Sequence, residues 1–564
     1  MSSSSSTVVT PALVTQKAVQ RLPRWALILL CAAYVLPGLF GRDPWKTHDI
    51  AAFGHMWSLA QGQASWWQPS VGGVLADTGG ILPYWLGGGA IAALAPLGVD
   101  PAFAARLPFA LLLVAILALV WYTTYELALT EAAQPLPLAF GGEAQPKDYA
   151  RAVADGGLLA LIASLGLLQL GHETTPELLQ LTGSTLFLFS LAAVQRHPRL
   201  AMLACLVSLP VMALSGSPTV AMMLGLVGSI VCVRSAQDDM RVHLRWVLTA
   251  LATAAILATV LREAGLSGWK WRLDYPDHPA DTFKLITWFT WPTLPLAALT
   301  IWHWRRQVWR RHIAVPLLAA TVGLIAGLAM GGNERALLAC LAPLAVLAAF
   351  ALPILQRSLG AALDWFSVFF FSVCAAFLWL GYVAMHLGVP ANLSVKVAKT
   401  VPGYTPHFSL LTLALAAAGT LIWLVLVRWR TARQAHALWK SLVLPAGGVA
   451  LCWLLFLTLW LPPLDQARSY RLLLSRLQQD LPGTGLVCSP DAPVGLLTAL
   501  EYFAGHKVDG RALAVSDQGQ RCASLLLRIP AHEAAPEVPG WSRIAQYNQR
   551  SRNSEQVVVY RRAP

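Results

Sequence analysis

In the stretch GRDPWKTHDI, Arg42, Asp43, Lys46, His48 and Asp49 lie within eight residues, just after an apolar run that stops at Gly41. These residue types suit one kind of chemistry. A carboxylate, assisted by an imidazole, can take a proton from an acceptor hydroxyl or amine. Neighbouring cations can stabilise a phosphate leaving group. The same charges could also serve only as a solvated cuff on a helix end. Asp49 and Asp43, with His48 assisting, are the candidate bases.

Other polar residues fall into a few short segments. The rest of the first loop holds His55 and Asp77, with Tyr84 further on. The segment GHETTPE carries His172, Glu173 and Glu177, and the turn GGNERA carries Asn333, Glu334 and Arg335. Between residues 263 and 283 lie Lys270, Arg272 and further charged side chains. Arg42, Lys46, Lys270, Arg272 and Arg335 are candidates for binding a phosphate. His55, Asp77, Tyr84, His172, Glu173 and Glu334 are candidates for lining a cavity. Each has a plainer reading, as a helix cap or a hydrogen-bonded hairpin end. The chain has no GxxxxGK[ST], HExxH, GxSxG or CxxC motif. No tight ligand spacing points to a metal, although a divalent cation is compatible with the carboxylates.

The elements that must position these residues are apolar. Of the 564 residues, 56% are hydrophobic and 12% charged, with mean hydropathy +0.56. A soluble domain carries about 25% charged residues. This composition requires a bilayer as solvent and excludes a soluble enzyme. The formal charge of +13 sits in short loops between apolar runs, as membrane topology requires and nucleic-acid binding does not. Runs between residues 25 and 461 predict about thirteen transmembrane helices.

Lys17, Arg21 and Arg24 precede the first run and put the N-terminus on the cytoplasmic side. The basic loops 195–199, 234–245, 304–312 and 428–434 then fall on that side too, provided that segment 81–99 does not cross. That segment reads as an interfacial or re-entrant helix, and 49–62 as a second helix lying on the membrane surface. The expected organisation is a disordered cytoplasmic N-terminus (1–24), a transmembrane region (25–462) with a long external loop (42–106), and an outer α/β domain (463–564). In that last part GLVCS, SLLLRIP and QVVVYRR read as strands, and PVGLLTALEYFAG as a helix ending near Gly505. Cys488 and Cys522 are the cysteines in polar sequence and could pair outside the cytoplasm.

The order of these segments resembles the polytopic GT-C glycosyltransferases, in the branch of the lipid A aminoarabinose transferase and the protein O-mannosyltransferases. LPYWLGG followed by FAARLPFALLL (103–113) is the most specific match. FTWPTLPLAALTIW (289–302), NERALLACLAPLAVLAA (333–349) and LDQARSYRLL (464–473) are similar to family segments. The resemblance implies a bacterial inner-membrane enzyme with an undecaprenyl-type polyprenyl-phosphate sugar as donor and inversion at the anomeric carbon. The acceptor it implies is lipid A, another envelope glycan or a protein. It also marks two departures. His48 stands where the family has its acid, with Asp49 at the following acidic position. ADTGGI (76–81) replaces a segment whose Glu and Lys the family keeps. A relative that binds polyprenyl lipid or a partner without chemistry, and a flippase of lipid-linked sugar, are the alternatives.

Overall fold

The computed structural model describes residues 12–77, 79–138, 140–235, 237–266, 279–400, 403–431, 437–481, 485–490, 492–511, 522–530, 533–549 and 555–562. The chain divides into two compact units. One comprises Met1–Leu39, Phe109–Ser394 and Pro406–Trp460; the other comprises Phe40–Pro108, Val395–Thr405 and Leu461–Pro564. The segment Phe40–Pro108 thus clusters with the C-terminal segment.

The first unit is helical, because a backbone in lipid must satisfy its own hydrogen bonds. Proline starts several of its helices, at Pro146, Pro176, Pro198 and Pro218. There its missing N–H costs nothing and its fixed φ suits the first turn. Each apolar run seen in the sequence forms helix over most of its length. Among the described residues seven helices are long and apolar enough to cross a membrane: Pro101–Ala128, Asp238–Glu263, Arg311–Ala329, Glu334–Ile354, Arg357–Leu387, Leu410–Arg430 and Lys440–Leu459. The pair Pro279–Phe289 and Thr293–His303 makes an eighth if it is one span; it bends by 88° at a break that contains Pro292. The other runs fold into shorter helices, such as Arg24–Val35 and Pro198–Leu214. Small residues let the helices approach closely. A Cβ on Gly323 would lie 2.6 Å from the backbone nitrogen of Cys340 on the next helix.

The second unit is mixed. Its elements in chain order are α1 (His48–Ala60), a hairpin of β1 (Ser70–Val71) and β2 (Val74–Leu75), α2 (Leu82–Leu94), and the start of α3 (Pro101–Ala128). After Trp460 come α4 (Leu461–Arg468), α5 (Arg471–Leu477), β3 (Leu486–Cys488), α6 (Val494–Tyr502), β4 (Lys507–Asp509), β5 (Cys522–Pro530), β6 (Trp541–Gln549) and β7 (Glu555–Arg562). The sheet order is β4-β3-β5-β7-β6, with β3 parallel to both neighbours and the β5-β7-β6 part antiparallel. β3, β5 and β7 coincide with the three apolar strands expected from sequence. The short β4 and the more polar β6 were not legible there. Cys488 and Cys522 form a disulfide between β3 and the start of β5.

One apolar core joins the first loop to this domain. Ile50 of α1 and Val71 of β1 are buried with Tyr470, Leu474, Leu497, Leu500, Val508 and Val559. α1 crosses α6 where glycine allows contact, since a Cβ on Gly54 would fall 1.8 Å from Thr498 Oγ1. Phe53 and Trp57 meet the Tyr502 ring edge-on. Gly54→Ala is therefore expected to destabilise the unit by about 1–3 kcal/mol through overpacking. A thermal unfolding curve of the purified protein in detergent would show it as a lowered midpoint; an unchanged midpoint would mean that the two helices separate at no cost.

Candidate functional site

The chemistry-bearing stretch is built around Trp45. Its indole is buried, with the Arg42 guanidinium 4.7 Å from the ring centroid and that of Arg468, from α4, at 4.9 Å. A buried indole N–H needs an acceptor, and Trp45 Nε1 donates to Asp465 Oδ1 at 2.6 Å. The Lys46 amide donates to the Arg468 carbonyl at 2.9 Å. Residues more than 400 positions apart are thereby held together.

Asp49 lies in the first turn of α1, where the helix dipole favours a negative charge. It is 2% exposed, and its Oδ2 accepts from Arg42 Nη2 at 3.1 Å and from the Trp45 amide at 3.2 Å. Asp43 takes both arms of Arg471, Nε at 2.6 Å and Nη2 at 2.9 Å. Asp465 also accepts from the Asp43 amide at 3.4 Å. Arg106 is buried on α3, in the electrostatic reach of Arg42, Asp49, Asp465 and Asp100, with no ion pair of its own among the described residues. Lys46 Nζ lies 4.8 Å from the Tyr470 ring, and burial holds its pKa below the ordinary lysine value. Cations outnumber carboxylates in this cluster, which leaves it suited to an anionic ligand.

Of the residues expected to act, Arg42, Asp43, Lys46 and Asp49 are brought together here. His48 is the exposed first residue of α1, and Asp77 is exposed just after β2. His55 is buried against Tyr84, with ring centroids 5.1 Å apart, and burial pushes its pKa down to about 4. Its imidazole is therefore neutral at physiological pH, and it packs α1 on α2.

A separate set sits in the helical unit. Arg335 Nη2 donates to Glu173 Oε2 at 2.6 Å, and Nη1 reaches Thr175 Oγ1 at 3.3 Å and Glu177 Oε2 at 3.7 Å. His172 Nδ1 lies 2.7 Å from the Leu168 carbonyl and Nε2 2.8 Å from that of Tyr34, with Trp453 alongside. Asn333 caps the helix that begins at Glu334, which is exposed. Arg335 is thus part of an ion-paired network. Lys270 and Arg272 lie outside the described residues. Among the described residues no group of three or more His, Cys, Asp or Glu could hold a metal.

Sequence reading missed Asp465, Arg468, Arg471 and Arg106 as site residues. The signal for the first three was present: LDQARSYRLL places charges directly after the last apolar run. Arg106 is a charge inside the apolar segment FAARLPF, where an ionisable residue needs a purpose.

Along 95% of its length the chain matches crystal structures of ArnT from Cupriavidus metallidurans. The match to the apo state has TM-score 0.61 at 15% identity and covers 97% of that chain. The match to ArnT bound to undecaprenyl phosphate has TM-score 0.62 at 14% identity and covers 98%. No family model and no curated protein matches the sequence. The chain is a multi-pass membrane protein with the GT-C fold seen in ArnT.

The Arg42–Asp49 pair makes a prediction of its own. Removing one member of a buried pair strands the other charge at a cost of about 3–5 kcal/mol, whereas replacing both with apolar residues costs far less. Asp49→Asn and Arg42→Met should each lower the unfolding midpoint in detergent, with Arg42→Met/Asp49→Leu closer to wild type. A fully stable Asp49→Asn protein would show that the pair does not hold the loop.

Proposed function

We propose that this protein is a membrane glycosyltransferase that moves a sugar from a polyprenyl-phosphate donor to an envelope acceptor, a glycolipid, glycan or protein. In this reading it works at the outer face of a bacterial inner membrane, with a cytoplasmic N-terminus and the α/β domain in the periplasm. The observation that carries the proposal is the cation-rich cluster around Trp45 in a chain with the fold of ArnT. One of the matching ArnT structures is bound to undecaprenyl phosphate, which supports a polyprenyl phosphate as the lipid here.

The residues divide the work as follows. Lys46, Arg106 and Arg468 attract the donor phosphate and stabilise it as it leaves, because charge developing near fixed cations needs no reorganisation. Lys46 suits a phosphate particularly, since the anion restores the favourable contacts that burial took from the ammonium. Arg42 and Asp49 position Trp45 and the start of α1. The bilayer holds the lipid tail, so that donor and acceptor meet in one orientation.

A second reading has one specific observation in its favour. Asp43 and Asp49 are both tied up in ion pairs, and His48 stands where the family has its acid. A relative that binds polyprenyl lipid and performs no transfer would look like this.

One assay separates the two. Purified protein in lipid vesicles is incubated with polyprenyl-phosphate sugars and a lipid A or peptide acceptor, and release of polyprenyl phosphate is followed. Transfer predicts release that depends on the acceptor, and Lys46→Ala should raise KM for the donor roughly tenfold, the worth of one charge-assisted hydrogen bond. Saturable binding of polyprenyl phosphate with no release from any donor would reject transfer in favour of the binding reading.

A further inference from the structure

Three carboxylates meet around Trp45, and their partners set them apart. Asp49 is buried against the Arg42 guanidinium. Asp43 is held by a bidentate Arg471. Asp465 accepts only neutral N–H groups, the Trp45 indole and the Asp43 amide, and no cation lies within ion-pair distance of it among the described residues. It sits on α4, directly after the last apolar helix, and is partly exposed. Each carboxylate oxygen can accept more than one hydrogen bond, so the two N–H donors orient Asp465 without using up its acceptor capacity.

Resting on the transfer reading above, we propose that Asp465 is the general base of the reaction. Its carboxylate takes the proton of the acceptor hydroxyl. The acceptor oxygen forms a bond to the anomeric carbon, the bond from that carbon to the phosphate oxygen breaks, and polyprenyl phosphate leaves with the electron pair. The cations of the cluster face the leaving phosphate; Asp465 serves the opposite partner.

The electrostatics of the position fit this role. Burial raises the Asp465 pKa to about 6, against the hydrogen bond from Trp45. The charged groups around it are Asp43 and Arg42 from the loop, Arg106 from α3, Arg471 from α5 and, on its own helix, Arg468 against the same Trp45 ring. Asp43 pushes the pKa up and Arg42 pulls it down. The group is ionised at neutral pH yet more basic than an ordinary aspartate, as an efficient base should be. Asp49 and Asp43 are each held by an arginine. In this scheme they are positioning residues.

The test compares wild type, Asp465→Asn and Asp465→Glu in the release assay between about pH 5 and about pH 8, with polyprenyl phosphate binding measured in parallel. Asparagine keeps an oxygen for the Trp45 indole but cannot take a proton. Wild-type kcat/KM should fall about tenfold per pH unit below about pH 6, because protonation removes the base. Asp465→Asn should lose on the order of 10²–10⁴ in kcat/KM and lack this acid limb, while binding polyprenyl phosphate like wild type. Asp465→Glu should keep the limb at reduced rate. An Asp465→Asn enzyme with wild-type rate and an intact acid limb would overturn the proposal. So would one that loses lipid binding along with activity, which would mark Asp465 as structural. A wild-type protein that releases nothing from any donor sinks the transfer reading, and this assignment with it.

Discussion

A buried indole between two guanidiniums cannot be made by one segment of chain. Trp45 needs Arg42 from its own loop, Arg468 from the segment after the last apolar helix, and Asp465 as acceptor for its N–H. Each contact is modest alone. A desolvated cation–π contact contributes about 2 kcal/mol and a typical hydrogen bond about 1 kcal/mol. Together they fix where the loop lies, and the rest follows. Once Trp45 is seated, its amide is aimed at Asp49, its carbonyl receives the Ile50 amide, and Lys46 is bound to the Arg468 carbonyl. The apolar side of α1 then closes on α6 through Ile50 and Gly54. A polar loop is thereby packed into a domain core.

The cluster also explains why so many charges tolerate burial. Arg42 and Asp49 leave water almost entirely, at a large desolvation cost. The cost is met by pairing, by the N-terminal dipole of α1 and by the face of Trp45. The Glu173–Arg335 pair in the helical unit solves the same problem differently. Its carboxylate also accepts from Gln169, and its guanidinium from Arg335 also reaches Thr175. Both are networks in which one lost member strands several others, so position is strongly specified.

Much of the fold was legible because membrane physics leaves a coarse mark on sequence. Uncharged runs must be helices, and the prolines that open several of them are readable as such. The interruption near Pro292 was harder, since a bent pair and a straight span have the same composition. Three strands were legible from unbroken Val, Leu and Ile. β4 has only three residues, and β6 breaks polar–apolar alternation at Ser542–Arg543 and Ile544–Ala545, so neither stood out. The first-loop half of the site was legible from the crowding of charges between Arg42 and Asp49. Its other half was not, because Asp465 and Arg468 enter it through a contact some 420 residues long. No local period or spacing encodes such a contact.

Residue type alone does not rank the three carboxylates, and their partners differ. Asp49 and Asp43 lie in a charge-crowded stretch of sequence; in three dimensions each is ion-paired with an arginine, Arg42 and Arg471 respectively. Asp465 lies midway along a short helix, yet its surroundings offer burial and neutral donors in place of a cation. Desolvation makes it more basic, and neutral donors hold it still without discharging it. The two sets are interdependent. On the proposed assignment, Arg42 and Arg471 stay engaged with Asp49 and Asp43, and the acidic motif of the first loop would thereby leave Asp465 its neutral donors.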